Sequence, residues 1–291
     1  MDLKNFDYIS YSQCTFCYSS HVNKILTLHL NPEVNYFFCK DCKLSYTDKQ
    51  LSEKSTQELY SNYYDDHSLK TGIESNVLGE HLFRFFSSKK MQTSTIRILD
   101  FGGGDGSIAK YLGEKLRNNK LCEIYCIDVF DVYECEHKIK DIHYFTSEED
   151  IKSNTYDIVI ASAVLEHLNA PMAKLLLLFN AMKSKGCFYA RTPYRLPIKM
   201  FLMNLKIKKV GMQFPWHLFD MGRPFWESLP KLFLTRHDIK INVVKSRPSI
   251  VQTTFKEHKK KYLFSKILKA PAYLFKNWNL VGGWEVFIEK I

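Results

Sequence analysis

From about residue 95 the chain alternates short apolar runs with longer stretches in which apolar residues recur every three or four positions. Ile96–Asp100, Ile124–Asp128 and Ile158–Ala161 are runs of this kind, and Cys187–Ala190 and Ile241–Val244 continue the series. Runs that short and that apolar read as buried strands. Their alternation with helical stretches predicts an α/β fold, a parallel sheet with helices on both faces. Residues 51–94 are polar and aromatic, with helical spacing over 57–64 and 77–86. The first 50 residues carry short β-like runs and paired cysteines. The expected organisation is a small module over 1–50, a helical linker or lid over 51–94, and a main domain over 95–291. No internal repeat or low-complexity segment interrupts it.

Composition narrows the class. The chain has 291 residues, 45% apolar and 25% charged, enough to bury a full core without disulfide staples. No run of ~18 uncharged apolar residues exists, which excludes a spanning helix. The opening MDLKNFDYIS has no basic stretch followed by an apolar one, so a secretory signal is not expected. Eight cysteines in that context read as reduced thiols, metal ligands or core residues, and the chain as cytoplasmic. The net charge of +10 is uneven: residues 191–291 hold 20 Lys/Arg against 6 Asp/Glu, while the first 190 are net acidic. That asymmetry points to a basic face toward phosphate, nucleic acid or an anionic membrane.

Cys14 and Cys17, then Cys39 and Cys42, form two C-x-x-C pairs separated by 21 residues. Two such pairs suit a zinc ribbon, each loop presenting two thiolates of one tetrahedron. A closed four-cysteine site has no open position for substrate, so this zinc is expected to be structural. Tyr36, Phe37 and Phe38 would supply the small core that the metal completes. His21 and His29, between the pairs, have no ligand role to fill. Cys122, Cys126, Cys135 and Cys187 are scattered and read as core.

The central signal runs from Ile98 to Ser107. A strand ends at Asp100, then Gly102, Gly103, Gly104 and Gly106 form a loop, and a helix opens at about Ile108. Glycines there allow positive φ and close approach of a ligand, and the helix N-terminus favours negative charge. The next strand ends in Asp128, where a Rossmann-like fold places the acid that binds ribose hydroxyls. Gly104–Ala109 also satisfies the dinucleotide pattern with Ala in third place, so a nicotinamide-dependent oxidoreductase competes. Its tempting Tyr-x-x-x-Lys, Tyr111 to Lys115, lies on the first helix and not beside a nicotinamide.

The array Asp100-x-Gly102-x-Gly104-x-Gly106 resembles the first motif of class I S-adenosylmethionine-dependent methyltransferases. Thr155–Leu168 looks like that family's fourth strand and following turn. Thr192-Pro193, Trp216–Phe219 and Trp284–Ile288 match in order. Phe38–Thr47, followed by Leu59–Tyr64, resembles the subfamily with an N-terminal zinc ribbon, many of whose members accompany sugar, polysaccharide or small-molecule biosynthesis. The resemblance implies that Asp100, Gly102, Gly104, Gly106, Asp128 and Ala161 bind S-adenosylmethionine, with Phe130 or Phe145 over the adenine. Two departures matter. Sugar C-methyltransferases of this kind carry Tyr-x-Glu-His where this chain has Gln213-Phe214-Pro215-Trp216-His217, which favours an oxygen or nitrogen acceptor. Methyltransferases that bind Mg²⁺ through Glu-x-x-Glu-His have a carboxylate where this chain has Ala163, so a catalytic metal is not expected.

A hydroxyl acceptor needs a base, for which His217 is the first candidate and His167, beside Glu166, the second. Tyr60, Tyr63, Tyr64 and His67 are candidates for a lid helix. Residues 198–210 and 256–278 are basic and amphipathic, the second holding seven Lys and one Glu. Read as an insertion near the end of the sheet, 256–278 would bring Lys259, Lys260, Lys261, Lys266 and Lys269 to an anionic membrane or a lipid-linked phosphate acceptor. Nucleic acid is less favoured, since no RNA-binding module is recognisable. The expectation is an enzyme that methylates a sugar or glycan oxygen. The competing readings are an RNA methyltransferase, the oxidoreductase, and a non-catalytic zinc-ribbon interaction protein.

Overall fold

The computed structural model describes residues 3–66, 75–89, 93–117, 120–128, 139–207, 211–251, 259–275 and 277–291. The N-terminal module contains β1 (Tyr8–Ser10), β2 (Val22–Leu30), β3 (Glu33–Cys39), β4 (Ser45–Thr47) and β5 (Lys49–Leu51). Two helices follow, α1 (Glu53–Asp66) and α2 (Ser75–Phe86). The remainder runs β6 (Thr95–Phe101), α3 (Ser107–Leu116), β7 (Leu121–Ile127), β8 (His143–Phe145), β9 (Tyr156–Ser162), α4 (Pro171–Ala181), β10 (Met182–Tyr194) and α5 (Leu196–Asn204). It closes with β11 (Phe219–Asp220), α6 (Arg223–His237), β12 (Ile241–Pro248), α7 (Lys259–Lys269) and β13 (Gly282–Lys290).

Seven strands form one sheet in the order β12-β13-β10-β9-β6-β7-β8. The pairs β9/β10, β6/β9, β6/β7 and β7/β8 are parallel, while β13 runs antiparallel to both β10 and β12. The expected parallel sheet therefore carries one antiparallel strand, β13, inserted between β10 and the edge strand β12. Chain order reverses beside β6, and in open α/β sheets ligands bind outside the carboxyl ends of the strands at such a reversal.

Successive residues of each central strand serve two different cores. Leu99, Val159, Ala161, Phe188 and Ala190 pack with α4 and α6 through Leu175, Leu178, Trp226 and Leu229. Ile98, Ile158, Ile160, Cys187 and Tyr189 pack on the other face with Leu78 and Leu82 of α2 and Ala109 and Leu112 of α3. Alternate side chains of a strand point to opposite faces, so a strand covered on both sides must be apolar throughout. Each leucine, isoleucine, valine or phenylalanine among them stabilises the fold by about 1.5–3 kcal/mol relative to exposure. Gly79 lets α2 lie against α3, since a Cβ there would sit 2.4 Å from Tyr111 Cδ1. Cys122, Cys126 and Cys187 are buried core residues as expected, and Cys135 lies outside the described residues.

The N-terminal module is less separate than its sequence suggests. Its main sheet has the order β11-β4-β3-β2, so a strand from beyond residue 200 completes it. Phe219 pairs with Tyr46 and Asp220 with Ser45. Phe16 packs edge-to-face on Phe225, and Phe16, Tyr46 and the four module cysteines belong to the same core as α4 and α6.

Candidate active site and cysteine centre

Strand β6 delivers Asp100 and then turns through Gly102, Gly104 and Gly106, which have φ of 68°, 57° and 74°. Those values favour glycine, and the loop is also tight. A Cβ on Gly102 would meet Val164 Cγ2 at 2.4 Å, and one on Gly103 would meet Asp100 Cγ at 2.5 Å. The Gly102 amide donates to the Ile127 carbonyl at 2.8 Å, which holds the loop against the end of β7. Gly106 is the residue before α3, so the loop feeds directly into a helix N-terminus. Asp100 is buried, and its Oδ2 has no hydrogen-bond partner among the described residues. Burial pushes its carboxyl up to about 7, with the charges of Asp105 and Asp128 adding to the effect. Asp128 stands one residue past β7, half-buried. Ala161 is buried on β9, in register with Ala190.

An acid with an open oxygen, a left-handed glycine turn packed too closely for a Cβ, and a second acid one strand over fit the amino-acid and ribose ends of S-adenosylmethionine. Phe145 lies on β8 with its ring 5.5 Å from that of Tyr125. Phe130 and His67 lie outside the described residues, as do the side chains of Tyr60, Tyr63 and Tyr64 on α1.

The turn after β9 brings the expected catalytic candidates together. His167 sits in a 3₁₀ turn, Leu165–His167, and its Nδ1 lies 2.7 Å from the Trp216 carbonyl. A carbonyl only accepts, so Nδ1 carries the proton and Nε2 is the lone-pair nitrogen of the neutral ring. Leu218 N donates to the Glu166 carbonyl and Thr47 N to the Leu218 carbonyl, fastening the 213–218 loop between this turn and the module. The His217 ring is thereby set against His167. Its Nδ1 is buried with no partner among the described residues, as is Glu166 Oε2. One carboxylate oxygen and one nitrogen from each ring lie within 4.8 Å of one another.

Burial lowers the His217 pKa to about 3, aided by His167 and Arg195, and lowers that of His167 to about 4. It raises Glu166 to about 7. All three border a cavity of about 640 Å³ that Ala163, Arg191, Arg195 and Lys269 also line. Arg191 and Arg195 were not singled out in the sequence. The available sign was an arginine directly after the apolar run Cys187–Ala190.

Outside the lining of this cavity, Cys14, Cys17, Cys39 and Cys42 are buried with their Sγ atoms all within 4.8 Å of one another. The Cys14–Cys42 and Cys17–Cys39 separations are 3.6 and 3.5 Å. A zinc tetrahedron with bonds of about 2.3 Å places its sulfurs about 3.8 Å apart, so the four residues fit that ion. Arg236 Nη1 donates to the Cys17 carbonyl and Ser228 Oγ to the Cys42 carbonyl at 2.9 Å, tying both cysteine loops to α6.

Of the lysines expected to face an acceptor, Lys269 alone lines the cavity beside the histidines. Lys266 borders a neighbouring cavity of about 500 Å³ with Arg84, Lys245 and Arg247. Lys259 and Lys260 are exposed, and the side chain of Lys261 lies outside the described residues. The cationic lining comes as much from β10 and its end as from the insertion.

The chain is similar in part to several solved structures. The plantazolicin methyltransferase BpumL, solved with SAH, has 16% identity and a TM-score of 0.48, over 82% of this chain and 91% of that one. The YcgJ protein from Bacillus subtilis has 14% identity and a TM-score of 0.43, over 73% and 98%. The [4+2]-cyclase SpnF has 12% identity and a TM-score of 0.45, over 72% and 80%. No curated protein sequence is similar enough to count as a relative. The methyltransferase-domain family model matches residues 76–229, more than half of the chain and the whole stretch from α2 through the glycine loop to α6. The chain belongs to that family and is a class I S-adenosylmethionine-dependent methyltransferase.

Proposed function

We propose that the enzyme methylates a hydroxyl oxygen of a sugar, glycan or related small-molecule acceptor. The carrying observation is the pair of neutral, half-buried histidines at the wall of the cavity, one with a buried ring nitrogen that has no partner among the described residues. The cofactor, when bound, supplies a methyl group already activated on a sulfonium. The chain's task is to align the acceptor, exclude water and take up the hydroxyl proton. His217 Nδ1 is our first choice for that proton, with His167 held by Trp216 as the ring that fixes its orientation. Cofactor binding is assigned to Asp100, Gly102, Gly104, Gly106 and Ala161 around the loop, and to Asp128 at the ribose. Zinc at the four cysteines holds the module in shape.

The resemblance of the module to zinc-ribbon enzymes of sugar metabolism supports the acceptor class. The test is turnover with a deuterated methyl donor across sugar nucleotides, lipid-linked sugars and RNA, with mass spectrometry locating the label. Label on a sugar oxygen supports the reading. Label on RNA or on carbon alone overturns it.

Peripheral contact with an anionic membrane, at its cytoplasmic side, is the setting we favour. Phe201, Leu205, Phe264, Ile267, Leu274 and Phe275 are all exposed on α5, on α7 or just beyond them. Neither 196–207 nor 259–278 contains an acidic residue. Lysines near headgroups contribute about 1 kcal/mol each. Among the described residues no helix is long and apolar enough to cross a membrane. Sedimentation with phosphatidylglycerol vesicles but not with neutral ones is expected, and equal recovery in both supernatants would remove this setting.

A further inference from the structure

The cavity beside the histidines carries a charge imbalance that proton removal does not use. Arg191, Arg195 and Lys269 line it against one carboxyl, Glu166. Arg191 is 6% exposed. Its Nε donates to Ser162 Oγ at 3.1 Å, whereas Nη1 is buried and has no partner among the described residues. A buried guanidinium with an open N–H is costly until something accepts that bond.

Lys269 is 8% exposed and donates to Ser249 O at 2.7 Å, Ser249 Oγ at 3.2 Å and Ile250 O at 3.4 Å. Neutral oxygens occupy its N–H bonds, and among the described residues no carboxylate lies within ion-pair distance of it. The nearby acids Glu285 and Asp220 offset part of this charge but hydrogen-bond to other groups. Glu285 is held by His81 and Arg247, and Asp220 accepts from the backbone amides of Arg195 and Leu196 at 2.7 and 3.0 Å.

We infer that the cavity binds an oxyanion belonging to the acceptor, a phosphate ester or a carboxylate, with Arg191 Nη1 as the open donor and Arg195 and Lys269 supplying charge. This rests on the cavity being the acceptor site, as proposed above. A guanidinium matches the geometry of either oxyanion, and the burial of Arg191 strengthens the attraction. Because the same cavity borders His167 and His217, the anion would sit close to the hydroxyl being methylated. It acts as the handle that orients that hydroxyl.

The probes are inorganic phosphate, pyrophosphate and acetate at constant ionic strength, read by thermal shift and titration calorimetry, with SAH titrated in parallel. Wild type should gain melting temperature with phosphate or pyrophosphate if the handle is a phosphate ester, and with acetate if it is a carboxylate. Arg191→Met should weaken that binding about 10- to 100-fold, the loss of one charge-assisted bond. Lys269→Met should lose most of the anion-induced shift. It keeps the test open if Arg191→Met fails to fold. SAH affinity within twofold of wild type in both variants, with the anion response lost, supports the inference. An anion response equal in wild type and Lys269→Met overturns it, as does none from any probe. Failure of wild type to bind SAH would instead overturn the cofactor assignment on which the site rests.

Discussion

His167 and His217 meet edge to face, their ring centroids 4.8 Å apart and their planes at 81°. One ring comes from the turn that ends β9, the other from the loop that leads into β11. The Trp216 carbonyl fixes the first ring, and the Leu218 amide on the Glu166 carbonyl fixes the loop bearing the second. Desolvation keeps both neutral, the state a proton acceptor needs, while making each a weaker base than a free imidazole.

That neutrality predicts a pH profile. A base with a pKa of about 3 or 4 stays ready at every ordinary pH, so acceptor turnover should stay flat from about pH 8 down to about pH 5. If Glu166 were the base, turnover would fall below about pH 7, where its carboxyl takes up a proton. His217→Ala should lose about 10²–10⁴ in kcat while leaving SAH affinity unchanged. A second metal equivalent per chain, lost in that variant, would assign the trio to a metal instead. Stability carries the same signature. The folded pKa of His217 lies below the unfolded value of about 6.5. The unfolded state therefore binds more protons between the two, and stability is full above about 6.5 and lost as pH falls toward 3. His217→Gln should flatten that part of the denaturation profile.

Asp128→Ala should weaken SAH by about 1.5–3 kcal/mol, the cost of a hydrogen bond to a charged group. Gly102→Ala should do more, because a Cβ at φ 68° would sit 2.4 Å from Val164 Cγ2. Calorimetric titration checks both. Unaltered affinity in the two variants would place the cofactor elsewhere.

Elemental analysis should find one zinc per chain in protein purified without chelator, and none in Cys42→Ser. From sequence, chelation is expected to unfold the first 50 residues and spare cofactor binding. The β4–β11 pairing adds a consequence, since the loop bearing His217 is anchored on the module. Chelation should therefore abolish acceptor turnover while SAH still binds, with hydrogen exchange rising over residues 213–222. Full turnover in stripped protein would refute the coupling.

Glu285 is fully buried and accepts from His81 Nε2 at 2.9 Å, from Arg247 Nε and from the Tyr189 hydroxyl at 3.2 Å. Burial pushes its carboxyl up, and His81 and Arg247 outweigh that, holding it below the usual glutamate value. Glu285→Gln leaves the Arg247 charge unpaired and should cost about 3–5 kcal/mol in urea denaturation. A cost under about 1 kcal/mol would mean that the cluster relaxes around the amide.

The sequence by itself determined the central sheet, the glycine loop and the cysteine quartet. β6, β7 and β9 are legible because a strand buried on both faces must be apolar at every position. The cysteines are legible because each pair is a local loop whose spacing is the ligand geometry itself. β8 was missed because three residues carry no period. β10 extends well beyond the expected Cys187–Ala190, since Lys183 and Lys185 mask its first half and its register shifts between Met182 and Cys187. Only the tertiary structure decided the rest. The His167–His217 contact, the grouping of Arg191 and Arg195 with Lys269, and the strand β11 that completes the module's sheet all join residues far apart in the chain. Nothing local in the sequence encodes such meetings. They follow from how the loops close over the sheet, and burial then sets the charge of each group they bring together.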